Sequence, residues 1–220
     1  MRYFCLGALL VMLMWHLEDS YHENQFKRKW TKPFLLPLII AYLLLSVFPP
    51  PYILLAALIT SWLGDIFLMK KGSRWFLIGG IFFLASHILF IFTYVPYIQF
   101  TFVKWYFVIP VAAVYFGISL HIIKLLIPTV SKLMRVPMCV YLFVNSTMNI
   151  FAFMMMISNF GAASVVAFCG AVLFFISDCS LYIVRYYRKK NVIFGRHFTV
   201  MLTYVGGVFL ITQGMIMMLS

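Results

Sequence analysis

The basic residues of this 220-residue chain fall almost entirely in every second gap between its apolar stretches. Only Arg2 and Lys104 lie in the other gaps. This alternation is typical of a chain that crosses a membrane repeatedly and keeps its basic loops on the cytoplasmic side. We therefore expect a polytopic membrane protein. The fifteen residues of the alternate gaps are Lys27, Arg28, Lys29, Lys32, Lys70, Lys71, Arg74, Lys124, Lys132, Arg135, Arg185, Arg188, Lys189, Lys190 and Arg196.

The composition excludes a soluble domain. The chain is 65% hydrophobic and 10% charged, with a mean hydropathy of +1.02, whereas soluble domains contain about 25% charged residues. The formal charge of +12 would suggest nucleic-acid binding in a soluble protein. Here the basic residues flank apolar stretches, so anionic lipid headgroups explain them better than nucleic acid does.

A helical span needs about 20 apolar residues, and the chain divides into about eight such stretches. We predict an all-α bundle of transmembrane helices that forms one integral membrane domain over residues 1–220. Both termini are then expected on the non-cytoplasmic side. The predicted spans are Tyr3–Leu17, Phe34–Phe48, Tyr52–Met69, Trp75–Val95, Phe102–Ile123, Val136–Ile157, Gly161–Val184 and Phe198–Met218.

Two of the five carboxylates, Asp65 and Asp178, lie inside apolar spans, and the other three lie in one polar segment. Asp65 precedes Lys70 by five residues, and Asp178 precedes Arg185 by seven. At 1.5 Å per residue, the two carboxylates lie roughly 8 and 10 Å inward from the cytoplasmic end. Because spans three and seven run in the same direction, both can reach one cavity.

An ionisable group inside a membrane is costly, which makes each Asp a functional-site candidate. The alternative is a buried group that only joins two helices by hydrogen bonds. The predicted spans contain no Lys or Arg near that depth to neutralise the pair. A protonated acid beside an ionised carboxylate is the arrangement that general acid–base hydrolysis uses.

Other polar residues at this depth have two interpretations each. His87, on one face of span four, either bonds a neighbouring helix or contributes to catalysis or substrate binding. Tyr141 and Asn145 in span six either join helices or line a polar cavity. Lys32, before span two, is either a topology anchor or a cation that receives a phosphate at the cavity mouth.

The His and Cys residues favour neither a metal nor a disulfide. No two His residues have the i,i+4 spacing of a helical zinc site. The four Cys residues lie in apolar segments without Cys-x-x-Cys spacing. We expect no metal and no cofactor.

Five segments in a fixed order, spread over residues 32–181, resemble the YhhN family of bacterial membrane proteins, which includes the animal lysoplasmalogenases. In the last span, the family pattern has Tyr followed closely by Gln. Here Tyr204 is followed by Val-Gly-Gly-Val, and Gln213 lies more than two turns further on. The matching segments are Lys32-Pro33, Ser61-x-x-Gly64-Asp65-x-x-Leu68, Gly80 through Phe83 to His87, Tyr141 to Met148, and Gly170-x-x-x-Phe174-x-x-Ser177-Asp178-x-x-Leu181.

The resemblance implies an enzyme of the bacterial plasma membrane that hydrolyses the vinyl ether bond of lysoplasmalogens, with a lysophospholipid substrate and membrane lipids as its partners. It would release a fatty aldehyde and a glycerophospho-headgroup. On this reading Asp65 and Asp178 are catalytic, with their individual roles unassigned. The substrate-binding or supporting residues would be His87, Lys32, Ser61, Tyr141, Asn145 and Ser177.

Two other functional classes fit the same residues. A proton-coupled transporter would use Asp65 and Asp178 as protonation sites, although neither of their spans has the interior break typical of transporter helices. A non-catalytic membrane protein would need the two Asp residues only for assembly.

Overall fold

The computed structural model describes residues 1–22, 25–187 and 192–219. Within these ranges the chain is all α-helical, with two single 3-10 turns, Val95–Tyr97 and Phe100–Phe102, and no strand. Three of the predicted loop cations, Arg188, Lys189 and Lys190, lie outside the described residues. The helices are α1 Arg2–Tyr21, α2 Gln25–Ser46, α3 Tyr52–Leu68, α4 Ser73–Tyr94, α5 Trp105–Leu126, α6 Lys132–Ser158, α7 Ala162–Tyr186 and α8 His197–Leu219.

The helices are those of an integral membrane protein. Six segments, all but α1 and α3, are long and apolar enough to cross a membrane, and α3 is apolar but has 17 residues. Large apolar side chains such as Phe92, Phe107 and Ile109 are exposed on the outside of the bundle. The predicted all-α fold is therefore confirmed, whereas eight membrane crossings remain a prediction.

Helix α2 begins at Gln25, nine residues before the predicted start of span two at Phe34. The basic segment that the sequence analysis assigned to a loop is therefore helical. Pro33 and Pro37 lie inside this helix. Because Pro37 has no N–H, the Pro33 carbonyl lacks its helical partner, and the Trp62 indole N–H of α3 donates to it at 2.9 Å.

Glycines set the closest helix contacts. A Cβ atom on Gly170 of α7 would lie 2.5 Å from the Ile211 backbone N of α8, and one on Gly64 of α3 would lie 2.6 Å from the Phe83 ring of α4. These two glycines belong to the segments that carry the family resemblance. Their place in the sequence is explained by close helix packing, of the kind that small residues allow in membrane bundles.

The basic connections lie together at one end of the bundle, called here the basic end. Residues next to the α1–α2, α3–α4 and α7–α8 connections line one cavity there, and the start of α6 packs beside the start of α4. At the opposite end, the Asn159 side chain donates to the Tyr97 carbonyl, which joins the α6–α7 and α4–α5 connections.

Candidate active site at the basic end

Asp65 of α3 and Asp178 of α7 line the same cavity, which has a volume of about 370 Å³ and lies at the basic end. Asp65 is 2% exposed and Asp178 is 4% exposed. The matched depth inferred from the sequence therefore does bring both carboxylates to one site. Their catalytic role remains a prediction. The other lining residues are His16, Lys29, Lys32, Leu68, Met69, Lys70, Lys71, Gly72, Phe76, Phe83, Ser177, Leu181, Arg185, His197, Val200, Met201 and Tyr204.

Asp65 has a charged partner on one oxygen and a neutral donor on the other. The Lys32 ammonium lies 2.8 Å from Oδ1, and the Tyr204 hydroxyl donates to Oδ2 at 2.8 Å. Because both oxygens accept hydrogen bonds and Lys32 is a cation, this geometry fits an ionised carboxylate.

The expectation that no cation at this depth neutralises the pair is wrong for Asp65. Lys32 was predicted to lie in a loop, as a topology anchor or at the cavity mouth. It lies instead about two turns inside α2, at 3.6 residues per turn, and its side chain is 17% exposed. The extended helix directs the ammonium into the bundle, where it pairs with Asp65.

Asp178 lies among residues of α4 and α6. Its Oδ2 accepts hydrogen bonds from the Tyr141 hydroxyl at 2.8 Å and from the Asn145 amide at 3.0 Å. His87 Nε2 lies 3.1 Å from the same oxygen, although it is not aligned as a hydrogen bond. The structure therefore brings three predicted supporting residues, Tyr141, Asn145 and His87, to one carboxylate.

The other ring nitrogen of His87, Nδ1, fixes the tautomer that a neutral His87 adopts. Nδ1 lies 2.6 Å from the Phe83 carbonyl oxygen, which can only accept, so Nδ1 must carry a hydrogen. A neutral His87 then presents the lone pair of Nε2 to Asp178. This contact places a basic nitrogen 3.1 Å from the carboxyl group.

Ser61 and Ser177, the other two predicted supporting residues, do not contact either Asp through the hydrogen bonds of the structure. Ser61 bonds Ser86 at 2.6 Å, and Ser86 donates to the Ala57 carbonyl. Ser177 donates to the Val200 carbonyl at 2.8 Å. Both hydroxyls therefore join neighbouring helices, α3 to α4 and α7 to α8, and Ser177 also borders the cavity.

Tyr204 is the site residue that the sequence analysis did not assign. The departure from the family pattern after Tyr204 left the last span without a role, yet its hydroxyl reaches Asp65. Gln213, by contrast, accepts a hydrogen bond from Tyr42 at 2.7 Å. Residue spacing could have identified Tyr204, because it follows the basic Arg196 by eight residues and therefore lies at the depth of the two Asp residues.

Basic side chains surround the cavity above the two carboxylates, and we call Lys29, Lys70, Lys71 and Arg185 the basic rim. The Arg185 guanidinium lies 3.9 Å from the centre of the Phe76 ring, a cation–π distance that fixes it beside the cavity. A site with cations at its mouth and carboxylates below suits a molecule with an anionic head and a neutral, reactive segment beneath it.

The described residues contain no group of three or more His, Cys, Asp or Glu side chains that could hold a metal ion. Asp65 and Asp178 accept their hydrogen bonds from side chains of the bundle instead, namely Lys32, Tyr204, Tyr141 and Asn145. Chemically, the arrangement offers one carboxylate beside a lysine ammonium and a second carboxylate beside an imidazole.

The fold and the site together define an all-helical, membrane-type bundle with a buried carboxylate pair under a basic mouth. The model of the YhhN family matches residues 28–215, and the chain belongs to this family. The resemblance inferred from the sequence is thus confirmed. Searches of curated proteins and of solved structures found no match.

Proposed function

We propose that the protein is a membrane hydrolase that cleaves the vinyl ether bond of lysoplasmalogens into a fatty aldehyde and a glycerophospho-headgroup. The observation that supports this most is the shared cavity, in which Asp65 lies beside a lysine ammonium and Asp178 lies beside a histidine imidazole. Vinyl ether hydrolysis needs one proton donor and one carboxylate, and it requires no metal.

The first step is transfer of a proton to carbon. The acid protonates the β-carbon of the vinyl ether, and the double-bond electrons form the new C–H bond, leaving an oxocarbenium ion on the ether oxygen and the α-carbon. We assign this proton to the Asp178–His87 pair, because Asp178 lines the cavity and its Oδ2 lies 3.1 Å from His87 Nε2. General acids of this kind typically contribute about 10²- to 10⁴-fold to a rate.

The second step adds water to the α-carbon. Asp65 is the carboxylate that orients this water and stabilises the nearby positive charge, and Lys32 and Tyr204 hold it in place. The water loses one proton, which restores the proton of the acid. The hemiacetal then breaks its bond to the glycerol oxygen, giving the aldehyde and the free hydroxyl of the headgroup.

The basic rim orients the substrate. A phosphate beside Lys29, Lys70, Lys71 and Arg185 gains favourable charge interactions. The vinyl ether lies next to the glycerol in a lysoplasmalogen, so a phosphate at the rim directs that bond inward, toward Asp65 and Asp178. The single hydrocarbon chain then extends into the apolar bundle.

The test is aldehyde release from a lysoplasmalogen by the purified, detergent-solubilised chain, measured beside Asp65→Asn and Asp178→Asn. We expect release by the wild type and a loss of about 10²-fold or more in each variant, with unchanged monodispersity. Absence of aldehyde release from a plasmenyl lysolipid by a monodisperse wild type contradicts the proposal, whether or not an acyl lysolipid releases fatty acid. Proton-coupled uptake in vesicles that depends on both Asp residues would then favour the transporter.

A further inference from the structure

A second cavity, called here the apolar groove, lies between α4 and α6 at the basic end. Its volume is about 250 Å³. The side chains that line it are almost all apolar, and along α4 they cover about 12 Å at 1.5 Å per residue. The lining residues are Phe76, Leu77, Gly80, Ile81, Leu84, Met134, Val136, Pro137, Val140, Tyr141 and Tyr182.

The groove opens toward the outside of the bundle. Ile81 is 56% exposed, Val136 is 70% exposed and Val140 is 45% exposed. These side chains lie in helices that are long and apolar enough to cross a membrane. The open side of the groove therefore faces the hydrocarbon region of a bilayer, at the depth of the first turns of α4 and α6.

The closed side of the groove reaches the carboxylate site. Tyr141 lines the groove, and its hydroxyl donates to Asp178. Phe76 lines both the groove and the basic cavity. Its ring meets Tyr182 edge-on, with ring centres 5.8 Å apart. One ring therefore separates an apolar space that is open to lipid from a charged space that contains both Asp residues.

We propose that the apolar groove binds the single hydrocarbon chain of a lysolipid, while its phosphate remains at the basic rim. This subsite rests on the proposed function, because it places the linkage between chain and headgroup beside Phe76, next to Asp178. An apolar lining suits methylene groups, and the rim suits the phosphate. A lysolipid can then enter from the bilayer without taking its chain through water.

Gly80 provides a variant that fills the groove with little risk to the fold. It lines the groove, and a Cβ atom added there meets no atom within 4 Å. Gly80→Leu therefore places an isobutyl group in the proposed chain position. Gly117→Leu on α5 is the matched control, because a Cβ on Gly117 also meets nothing within 4 Å and Gly117 does not line the groove.

The first experiment measures binding without turnover. The probe is a lysolipid with a saturated ether linkage and a diazirine in its chain, photocrosslinked to the full chain in nanodiscs and mapped by mass spectrometry. We expect adducts on groove residues, about tenfold weaker in Gly80→Leu, close to the loss expected when about two methylenes leave an apolar site. Gly117→Leu should match the wild type. Adducts elsewhere, or equal competition by a diacyl lipid, overturn the proposal.

The second experiment compares aldehyde release from long-chain and short-chain plasmenyl lysolipids. Gly80→Leu should lower kcat/KM about tenfold for the long chain and leave the short chain unchanged. Equal loss for both lengths overturns the subsite, even if the hydrolase exists. Groove adducts in the first experiment without any aldehyde release would support the subsite and refute the hydrolase.

Discussion

The surroundings of Asp65 and Asp178 are similar in geometry and different in charge. Each carboxylate is buried and accepts a hydrogen bond of 2.8 Å from a Tyr hydroxyl. Tyr204 donates to Asp65, and Tyr141 donates to Asp178. The nearest basic group differs: an ammonium lies 2.8 Å from Asp65, and an imidazole lies 3.1 Å from Asp178.

The two carboxylates therefore differ in the kind of basic side chain beside them, a lysine for Asp65 and a histidine for Asp178. Lysine is ordinarily cationic, whereas histidine changes charge near neutral pH. The Lys32 ammonium pairs with Asp65 and favours the ionised form of that carboxylate. In the proposed mechanism, His87, which donates Nδ1–H to the Phe83 carbonyl, takes a proton from Asp178 and returns it. On this proposal the pair supplies a carboxylate and an acid from the same residue type, as other two-carboxylate sites do.

The largest effect should follow from removing the permanent cation. Lys32→Gln leaves Asp65 charged and buried, and breaking a buried ion pair in this way typically costs about 3–5 kcal/mol of stability. We expect a lower unfolding temperature in detergent, with recovery in the double variant Lys32→Gln/Asp65→Asn. Lys29→Gln, at an exposed rim position, is the control. An unchanged unfolding temperature in Lys32→Gln contradicts the assignment of Asp65 as the ionised partner.

Removing the imidazole beside Asp178, in His87→Gln, should reduce activity more than stability. In the proposed mechanism His87 Nε2, 3.1 Å from Asp178 Oδ2, aligns with that oxygen during proton transfer, and a hydrogen bond to a charged group contributes about 1.5–3 kcal/mol. Aldehyde release should therefore fall roughly 10- to 100-fold. The exposed His121→Gln on α5 serves as the control. Wild-type rates in His87→Gln would mean that Asp178 holds its proton without histidine.

The smallest effect concerns the tyrosine that the sequence analysis missed. Tyr204→Phe removes one donor to Asp65 but leaves Lys32 in place, so we expect a loss in rate of roughly tenfold or less. Tyr42→Phe is the matched control, because Tyr42 also joins α8 through its hydroxyl but bonds Gln213 instead of an Asp. Equal rates in both variants would remove Tyr204 from the site.

Much of the fold could be predicted from the sequence because apolar stretches alternate regularly with connections that are rich in Lys and Arg. The predicted spans correspond in order to the eight helices. His87, which the spacing places on one face of span four, is fully buried in α4. The shared depth of Asp65 and Asp178 followed from residue spacing alone, since helical rise converts sequence distance into depth.

The rest depended on information that spacing does not carry. Lys32 and Pro33 suggested a loop because charged and proline residues usually end an apolar span, yet α2 continues through both. Tyr204 contacts a residue 139 positions away, which no local pattern reveals. Ser177 has the spacing of a site residue but donates to the Val200 carbonyl, because small polar residues also join helices.

In the proposed mechanism the Asp178–His87 pair delivers a proton to carbon while Asp65 remains ionised. The most direct measurement is lysoplasmalogen hydrolysis in D₂O, with the released aldehyde reduced at once and its deuterium located by mass spectrometry. We predict one deuterium on the carbon next to the aldehyde group, slower release than in H₂O, and no labelled product from Asp178→Asn. Aldehyde without that deuterium, or undiminished labelled product from Asp178→Asn, would contradict the account.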